Sequence, residues 1–457
     1  MSSTAPDASR NTISESIVVD KTNLRRASMA GLVGTTLENY DFVIYGTGAA
    51  LVFNKVFFSS ASPAAGIMAS FAVYGVGFVA RPLGGLFFSH YGDRVGRKFV
   101  LIATLFLMGT ATFAICLLPT YEQVGLLSPI LLLVCRILQG FGAGAEQAGG
   151  IVLLTETAPQ IQRGRYSSLV YVGAALGSVL GALAWIAVQQ LLTPEQVLAW
   201  GWRLVFLSSI VVTIAAYVFR RLLNESPVFE EAKSRGEVGR EKTPIAEAFK
   251  YGWRGIVRVI LLTLGAIAHS YFYQVFVGSY AVDHLKMPAS VVPPMLLIGG
   301  VFAMAAAVSA GMLSDRFGRK PIYLIICGVL AVMPYATFWL LDTRDVFVIG
   351  TVVVLGFVFA VEGTVGVQAA FYPELFGSRY RYAGVALGRE MSACIGGFAP
   401  LAAQGLLIGT GSTWPIAVFL SITIVIAFVT TIFAPETVGR DLLLDTDAKR
   451  GEAQPVG

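Results

Sequence analysis

The chain alternates between apolar runs of about twenty residues and short polar breaks rich in Arg, Asp, Gly and Pro. Runs such as 130–154 and 346–371 are long enough to cross about 30 Å of hydrocarbon as helix. Hydropathy read against the breakers predicts twelve transmembrane helices, at 30–53, 67–89, 99–119, 128–157, 168–191, 201–222, 256–281, 289–313, 320–341, 347–372, 383–407 and 414–435. Tilt accommodates those longer than a bilayer is thick. Residues 1–28 are polar without an apolar core, so no cleavable signal peptide is expected.

Composition agrees with the pattern. Of 457 residues, 55% are hydrophobic and 13% charged, where a soluble chain is roughly a quarter charged. A soluble enzyme, a nucleic-acid-binding protein and a disordered scaffold are excluded; the lipid bilayer is the surrounding medium. Walker A, HExxH and GxSxG sequences are all missing, so no enzyme is expected. Cys116, Cys135, Cys327 and Cys394 lie inside apolar runs without CxxC spacing and read as small buried hydrophobes, with no metal site. Lys and Arg crowd the odd-side connections, while the opposite loops hold only Lys55, Lys286 and Arg344. The positive-inside rule then puts both termini in the cytoplasm.

The chain also repeats itself. GDRVGRK at 92–98 returns as SDRFGRK at 314–320, ETAPQIQR at 156–163 as ELFGSRYR at 374–381, and NESPVF at 224–229 is echoed by APETVG at 434–439. Three markers in one order predict two homologous halves: an N-terminal tail 1–29, a six-helix bundle 30–222, a cytoplasmic linker 223–255, a second bundle 256–435 and a tail 436–457.

Two six-helix halves with D-R-x-G-R-K motifs after helices two and eight resemble the major facilitator superfamily. LENYDFVIYG (37–46), GVGFVARPLGG (75–85), RILQGFGAGAEQAGG (136–150) and LFGSRYRYAG (375–384) resemble its metabolite:proton symporter family, most of all the shikimate-transporter branch. The sequence departs from that pattern at Ser89, at AEQAGG in helix four and at the adjacent pair Arg389–Glu390 in helix eleven. The resemblance implies an all-α monomer in the inner (plasma) membrane that moves a small molecule together with protons, driven by the proton gradient without a cofactor.

Ionisable residues inside the spans point to the chemistry, because each costs about 2.5–3.5 kcal/mol or more at the bilayer centre. Carboxylates Glu38, Asp41, Glu146, Glu362 and Glu390 outnumber arginines Arg81, Arg136 and Arg389. In a low-dielectric core that surplus favours a proton on at least one carboxyl, which is the physical basis of a proton carrier. Asp41 in helix one is the expected carrier and Arg136 in helix four its switch partner, a pairing the resemblance supports. Glu38 in place of Asp41, or a static ion pair that only joins the two helices, are the alternatives. Glu362 is a further proton-coupling candidate, set against a plain interhelical hydrogen bond. Arg136, Gln139, Tyr40, Tyr45, Tyr271, Gln274, Gln368, Arg389 and Glu390 are candidate substrate contacts; Arg389 and Glu390 could equally form a structural network with Glu362. His269 reads as a core histidine first and a proton relay second.

Asp93, Arg94, Arg97, Glu156 and Arg163, duplicated by Asp315, Arg316, Arg319, Glu374 and Arg381, form a candidate cytoplasmic gate, or else serve only as topology determinants. Gly173, Gly177 and Gly181, and Gly140 with Gly144, are packing stripes; Gly396, Gly397 and Pro400 offer helix eleven a bend. The expected function is proton-coupled uptake of a small organic acid by alternating access. The acid is a shikimate-like cyclic carboxylate first, a dicarboxylate or aromatic acid second. The alternatives are a proline/betaine-type symporter, a drug effluxer, and a sensor that does not transport.

Overall fold

Apolar runs that must leave water satisfy their backbone internally, and they do so as helices. A computed structural model describes residues 21–58, 62–95, 97–144, 146–221 and 244–449, and the side chains of 21–23, 26, 30, 89–98, 101, 219–221, 244–246 and Glu146 lie outside the described set. The long helices are α1 (Lys21–Leu51), α2 (Pro63–Val95), α3 (Arg97–Cys116), α4 (Leu127–Thr157), α5 (Gln160–Leu191) and α6 (Pro194–Val218), followed by α7 (Trp253–His284), α8 (Ala289–Phe317), α9 (Arg319–Leu341), α10 (Val346–Leu375), α11 (Ser378–Thr410) and α12 (Trp414–Phe433). Ten are long and apolar enough to cross a membrane. The other two are α1, which carries Glu38, Asn39 and Asp41 at mid-length, and α3, whose apolar stretch is the shorter Ile102–Cys116. No strand occurs among the described residues.

The two halves repeat one packing scheme. In the first, α1 lies on α5 and α2 on α4; in the second, α7 lies on α11 and α8 on α10. The halves meet where α5 crosses α8 and α2 crosses α11. Twelve passes leave Lys21 and Phe433 at the same face, called the terminal face below. Large apolar side chains such as Leu83, Val211, Ile325, Val332, Trp339 and Phe347 point outward and are mostly exposed, whereas Asp41, Arg136, His269, Arg319 and Glu362 are buried. That is the inverse of a soluble protein.

Several expected boundaries move. Helix α1 begins at Lys21 rather than 30, and α7 at Trp253 rather than 256. A short helix, Pro244–Tyr251, occupies the end of the expected linker, whose residues 223–243 lie outside the described set. The expected loop after helix eight is nearly absent: α8 runs to Phe317 and α9 starts at Arg319, with Gly318 alone between them at φ +97°. Only glycine adopts that backbone without strain, so the motif ends two helices with a single residue. Helix α11 is interrupted between Gly396 and Ala399, and there Phe398 lies against Gly75, and Gly397 against Phe78, of α2. Wide π turns, invisible to periodicity, occupy Phe272–Phe276 of α7 and Phe357–Gly363 of α10.

The glycine stripes lie where backbones touch. A Cβ on Gly140 would overlap the carbonyl oxygen of Gly77, and one on Gly144 that of Arg81, so α4 and α2 pack backbone to backbone. Gly173 and Gly177 receive the backbone of α1 at Leu32 and Thr36. Neither backbone can rotate away. Gly140→Ala is therefore expected to lower stability by about 1–3 kcal/mol, read as an earlier thermal midpoint in detergent. Gly409→Ala, with nothing within 4 Å, should leave it unchanged.

Candidate functional site: a buried charge network between the halves

Glu38 and Asp41 are three residues apart on α1, yet they serve different partners. Asp41 is 1% exposed and accepts one hydrogen bond on Oδ2, from Thr112 Oγ1 of α3 at 2.7 Å. Thr112 in turn accepts from Gln139 Nε2 at 2.6 Å, and Gln139 Oε1 accepts from Arg136 Nη1 at 3.3 Å. The expected Asp41–Arg136 ion pair is not made in this conformation. A polar chain through Thr112 and Gln139 joins the two instead, every donor pointing from the guanidinium toward the carboxylate. The Thr112 hydroxyl also has Met108 O within reach at 2.9 Å, so its single proton can serve either acceptor.

Arg136 is fully buried in an aromatic box. Its Cζ lies 4.3 Å from the ring centre of Tyr45, 4.4 Å from Phe42, 4.9 Å from Tyr74 and 5.5 Å from Phe78. The other groups that hold it are neutral: Gln139, and the Tyr74 carbonyl at 3.4 Å from both Nε and Nη2. Among the described residues no carboxylate approaches it within ion-pair distance. Ring quadrupoles and one carbonyl offset part of the desolvation cost of a buried cation but leave its charge uncancelled.

Arg81 of α2 is the centre of a second cluster. It meets Glu38 Oε1 of α1 at 2.7 Å through Nη1, and grips Glu390 of α11 with Nε at 2.6 Å and Nη2 at 3.2 Å. One guanidinium thus holds two buried carboxylates, one from each half. Arg389 turns the other way, as neighbours about 100° apart on a helix must, and donates to Tyr171 of α5 and to Gln147 of α4, the latter at 2.6 Å. Helix α11 therefore grips the first half with two opposite charges. Glu362 is not part of this network: it is buried in the α10 π turn with no ion pair or hydrogen bond on Oε2 among the described residues.

The remaining candidates divide. Gln274 lines a small cavity of about 10 Å³, the room of one water, together with Phe42, Gly46, Tyr74, Val275, Leu296 and Phe357 at the junction of the halves. Tyr45 packs on Arg136, and the Tyr271 ring lies tilted 4.7 Å from that of Phe78 and edge-on 5.7 Å from that of Tyr74. Two expected cavity groups face elsewhere. Tyr40 bonds Ser208 at 2.5 Å, toward α6, and Gln368 donates to Tyr323 of α9 at 2.7 Å. His269 has Nδ1 2.8 Å from Gly265 O and Nε2 3.1 Å from Leu330 O, and so ties α7 to α9.

At the terminal face the repeated motifs exchange partners. Glu156 of the first half takes Arg381 of the second at 2.7 Å, while Glu374 of the second lies 3.9 Å from Arg163 of the first. Asp315 accepts the backbone N–H groups of Gly164 and Arg165 at 2.8 Å each, a carboxylate on the positive end of α5. Arg319, fully buried, binds Asp315 at 2.7 Å and both oxygens of Glu374 at 3.1 Å. The segment after α12 closes over these groups: Glu436 caps α9, and Arg440 O and Gly439 O accept from Arg163 and Gln160 of the first half at 2.5 Å each. Arg316, expected in the gate, is instead exposed, 5.2 Å from the Phe317 ring, with no ion pair among the described residues. The side chains of Asp93, Arg94 and Arg97 lie outside the described set.

Arg81, Thr112, Gln147 and Tyr171 were not among the expected site residues. Arg81 announced itself as a charge in an apolar run and Gln147 stands in the unusual AEQAGG, but Thr112 and Tyr171 carry no signal in sequence.

Residues 33–400 match the Major Facilitator Superfamily. The chain is 36% identical over 401 residues to the shikimate transporter of Escherichia coli K12, covering 87% of this chain and 91% of that one. It is 31% identical over 449 residues to the proline/betaine transporter of the same strain, covering 94% and 87%. Among solved structures, the xylose transporter XylE from E. coli, in a partially occluded inward-open conformation, superimposes with a TM-score of 0.72 at 18% identity, covering 92% of this chain and all of that one.

Proposed function

Because the chain belongs to the major facilitator superfamily, and so is a membrane transporter of small molecules rather than an enzyme, we propose that it imports an organic acid together with a proton. The acid is a shikimate-like cyclic carboxylate first, a dicarboxylate or aromatic acid second. Both termini, and with them the terminal face, lie in the cytoplasm of an inner (plasma) membrane, and the protein works as a monomer of two bundles, 30–222 and 256–435, joined by 223–255.

The observation that carries the reading is Arg136: a buried guanidinium among four rings, with neutral acceptors only, connected to a buried carboxyl through two side chains. Its charge is available to an anion arriving beside it. Protonation of Asp41 changes what Thr112 donates to, and that change passes along Gln139 to Arg136. An aromatic box also suits a quaternary ammonium, as in a betaine, but this box is already filled by a guanidinium, which would repel a second cation. The crossed ion pairs at the terminal face exist only while that face is closed, and such single-state contacts make alternating access bistable.

The test is uptake into proteoliposomes under an imposed inward proton gradient, with shikimate, quinate, 2-oxoglutarate, citrate, succinate, benzoate, proline and glycine betaine. Accumulation of one acid supports the reading; movement of betaine or an organic cation alone rejects it. A smaller effect isolates the connection. Thr112→Val keeps the shape but leaves Asp41 without its donor, a change worth about 1–3 kcal/mol. Uptake per proton should fall several-fold while expression is unchanged.

A further inference from the structure

We propose that the mouth of the seam opposite the terminal face is a second binding site, which captures a small hydroxylated carboxylic acid on its way to Arg136. The proposal takes its choice of probe from the organic-acid reading above, and needs neither Asp41 as carrier nor completed transport.

Between the halves at that end lies a cleft of about 200 Å³, far roomier than the one-water cavity deeper in the seam. The start of α2, at Pro63, Ala64 and Ile67, forms its first-half wall. Its second-half wall is the end of α7 and the turn after it, within 279–286, together with Gln404 and Leu407 of α11. The two cavities follow one another along α7. Gln274 lines the deeper one and Ser279 the outer one, five residues and about 7 Å of helix apart. Each borders a π turn of that helix, Phe272–Phe276 and Tyr280–His284, and such turns recur where a helix lines a functional site.

Gln404 is the residue that calls for a ligand. It is 8% exposed and lines the cleft, yet among the described residues nothing bonds its amide. An amide both donates and accepts, so a hydroxyl satisfies it where a quaternary ammonium or an aliphatic group does not. Half-buried Asp283 has Oδ2 held by Ser279 Oγ at 2.9 Å, which leaves Oδ1 to accept a further hydroxyl. Lys286 spends one ammonium hydrogen on the Asp283 carbonyl at 2.7 Å and keeps two for a carboxylate.

The balance of charge selects an anion. Lys55 of the first half and Lys286 both act on Asp283, while Arg344 and Asp342 act together on Tyr280. One positive charge is left over, and His284 adds no negative one. All three cations of the outer loops thus bear on this mouth, which draws anions from outside. The ring of Tyr280 lies between Phe276 at 6.0 Å and His284 at 4.8 Å, with Phe338 against it at 5.6 Å, so it offers no open face to an ammonium group. Among the described residues there is no cluster of three metal-ligating side chains. A compact ring fits: its carboxylate on Lys286, its hydroxyls on Asp283 and Gln404, its apolar face on Ile67 and Leu407.

The test reads occupancy without transport. Ala64 is a half-buried wall residue, so Ala64→Cys in the otherwise intact protein reports a filled cleft by slower maleimide labelling, with the unmutated protein as background for its four natural cysteines. Quinate should slow labelling. Benzoate, a carboxylate without hydroxyls, and inositol, hydroxyls without a charge, should not do so at the same concentration. Lys286→Gln and Gln404→Leu should each raise the quinate concentration for half-protection by about threefold or more. Gln404→Leu also separates binding from packing: leucine fills the place of an amide that nothing bonds, so the thermal midpoint without ligand should hold or rise. Arg136→Met should leave protection by quinate in place, because the deeper charge is not part of the mouth.

Equal protection by quinate and benzoate, or protection by proline or glycine betaine without quinate, overturns the ligand class. Absence of any protection overturns the site, as does protection unchanged in both Lys286→Gln and Gln404→Leu. Protection lost in Arg136→Met at an unmoved thermal midpoint would mean that quinate acts only from the deeper site, and also overturns it. Should Arg136→Met fail to fold, the other two variants decide. Quinate protection without accumulation of any acid in the uptake panel would sink the cargo reading and leave the mouth site standing; accumulation of quinate without protection would do the reverse.

Discussion

Asp41→Asn is expected to abolish accumulation against a gradient while leaving exchange of substrate across the membrane intact. A gradient of about two pH units is worth about 2.7 kcal/mol per proton, enough for roughly 100-fold accumulation with one proton per substrate. With asparagine, that ratio should fall to about one. The reason lies in the geometry of the carboxyl. Asp41 is buried with a single donor, Thr112, on Oδ2, while Oδ1 has none. A charged carboxylate there is poorly solvated, and a proton on Oδ1 removes the cost. Asparagine copies the neutral form and cannot return to the charged one, so the protein cycles with substrate but moves no proton. Counterflow of labelled substrate measures the first property and gradient-driven uptake the second. Loss of both together would mean that Asp41 holds the fold and is not a carrier.

The second large effect is expected at the terminal face. Arg319→Met should make a cysteine placed at Ser168, which is buried where α5 meets α8, react rapidly with maleimide at neutral pH and reduce net uptake to near background. Arg319 is fully buried and is the main cation on Glu374, which is buried as well and otherwise has Thr437 at 2.7 Å and Arg163 at 3.9 Å. Removing one member of a buried ion pair costs about 3–5 kcal/mol, because the partner charge stays behind. Arg319 and Glu374 belong to the same half, so the cost is largest in the closed arrangement, where Glu374 is shut away from water, and smaller once opening exposes it. Arg316→Met removes an equal charge from the same segment, at an exposed side chain resting on Phe317, and should change neither reading by more than about 0.5 kcal/mol. The comparison separates a gate from a simple topology determinant, which would respond alike to both.

The residues that matter here were visible for one reason: charge inside hydrocarbon is expensive, so Glu38, Asp41, Arg81, Arg136, Glu362, Arg389 and Glu390 stand out against any apolar background. Their partners were hidden. Glu390 meets Arg81 across 309 residues of chain, and its neighbour Arg389 leaves in another direction to reach Tyr171 and Gln147. Asp41 and Arg136 suggested a direct pair, and the connection turned out to run through Thr112, a residue too common in apolar helices to attract notice. Tyr40 and Gln368, named as cavity groups, face α6 and α9 because helical rotation, which composition does not encode, points them there.

From sequence alone came the twelve spans, the two repeated halves, the family and the roster of buried charges, because hydrocarbon imposes the same length and polarity rules on every segment independently. Tertiary structure decided the crossed exchange of Glu156 and Glu374 between halves, the single-residue turn at Gly318, the π turns of α7 and α10, and the sharing of Arg81 by two carboxylates. Those depend on where two helices cross and how each is rotated about its axis. Both are set by backbone-to-backbone contacts such as Gly140 on Gly77, which exist only once the helices are packed.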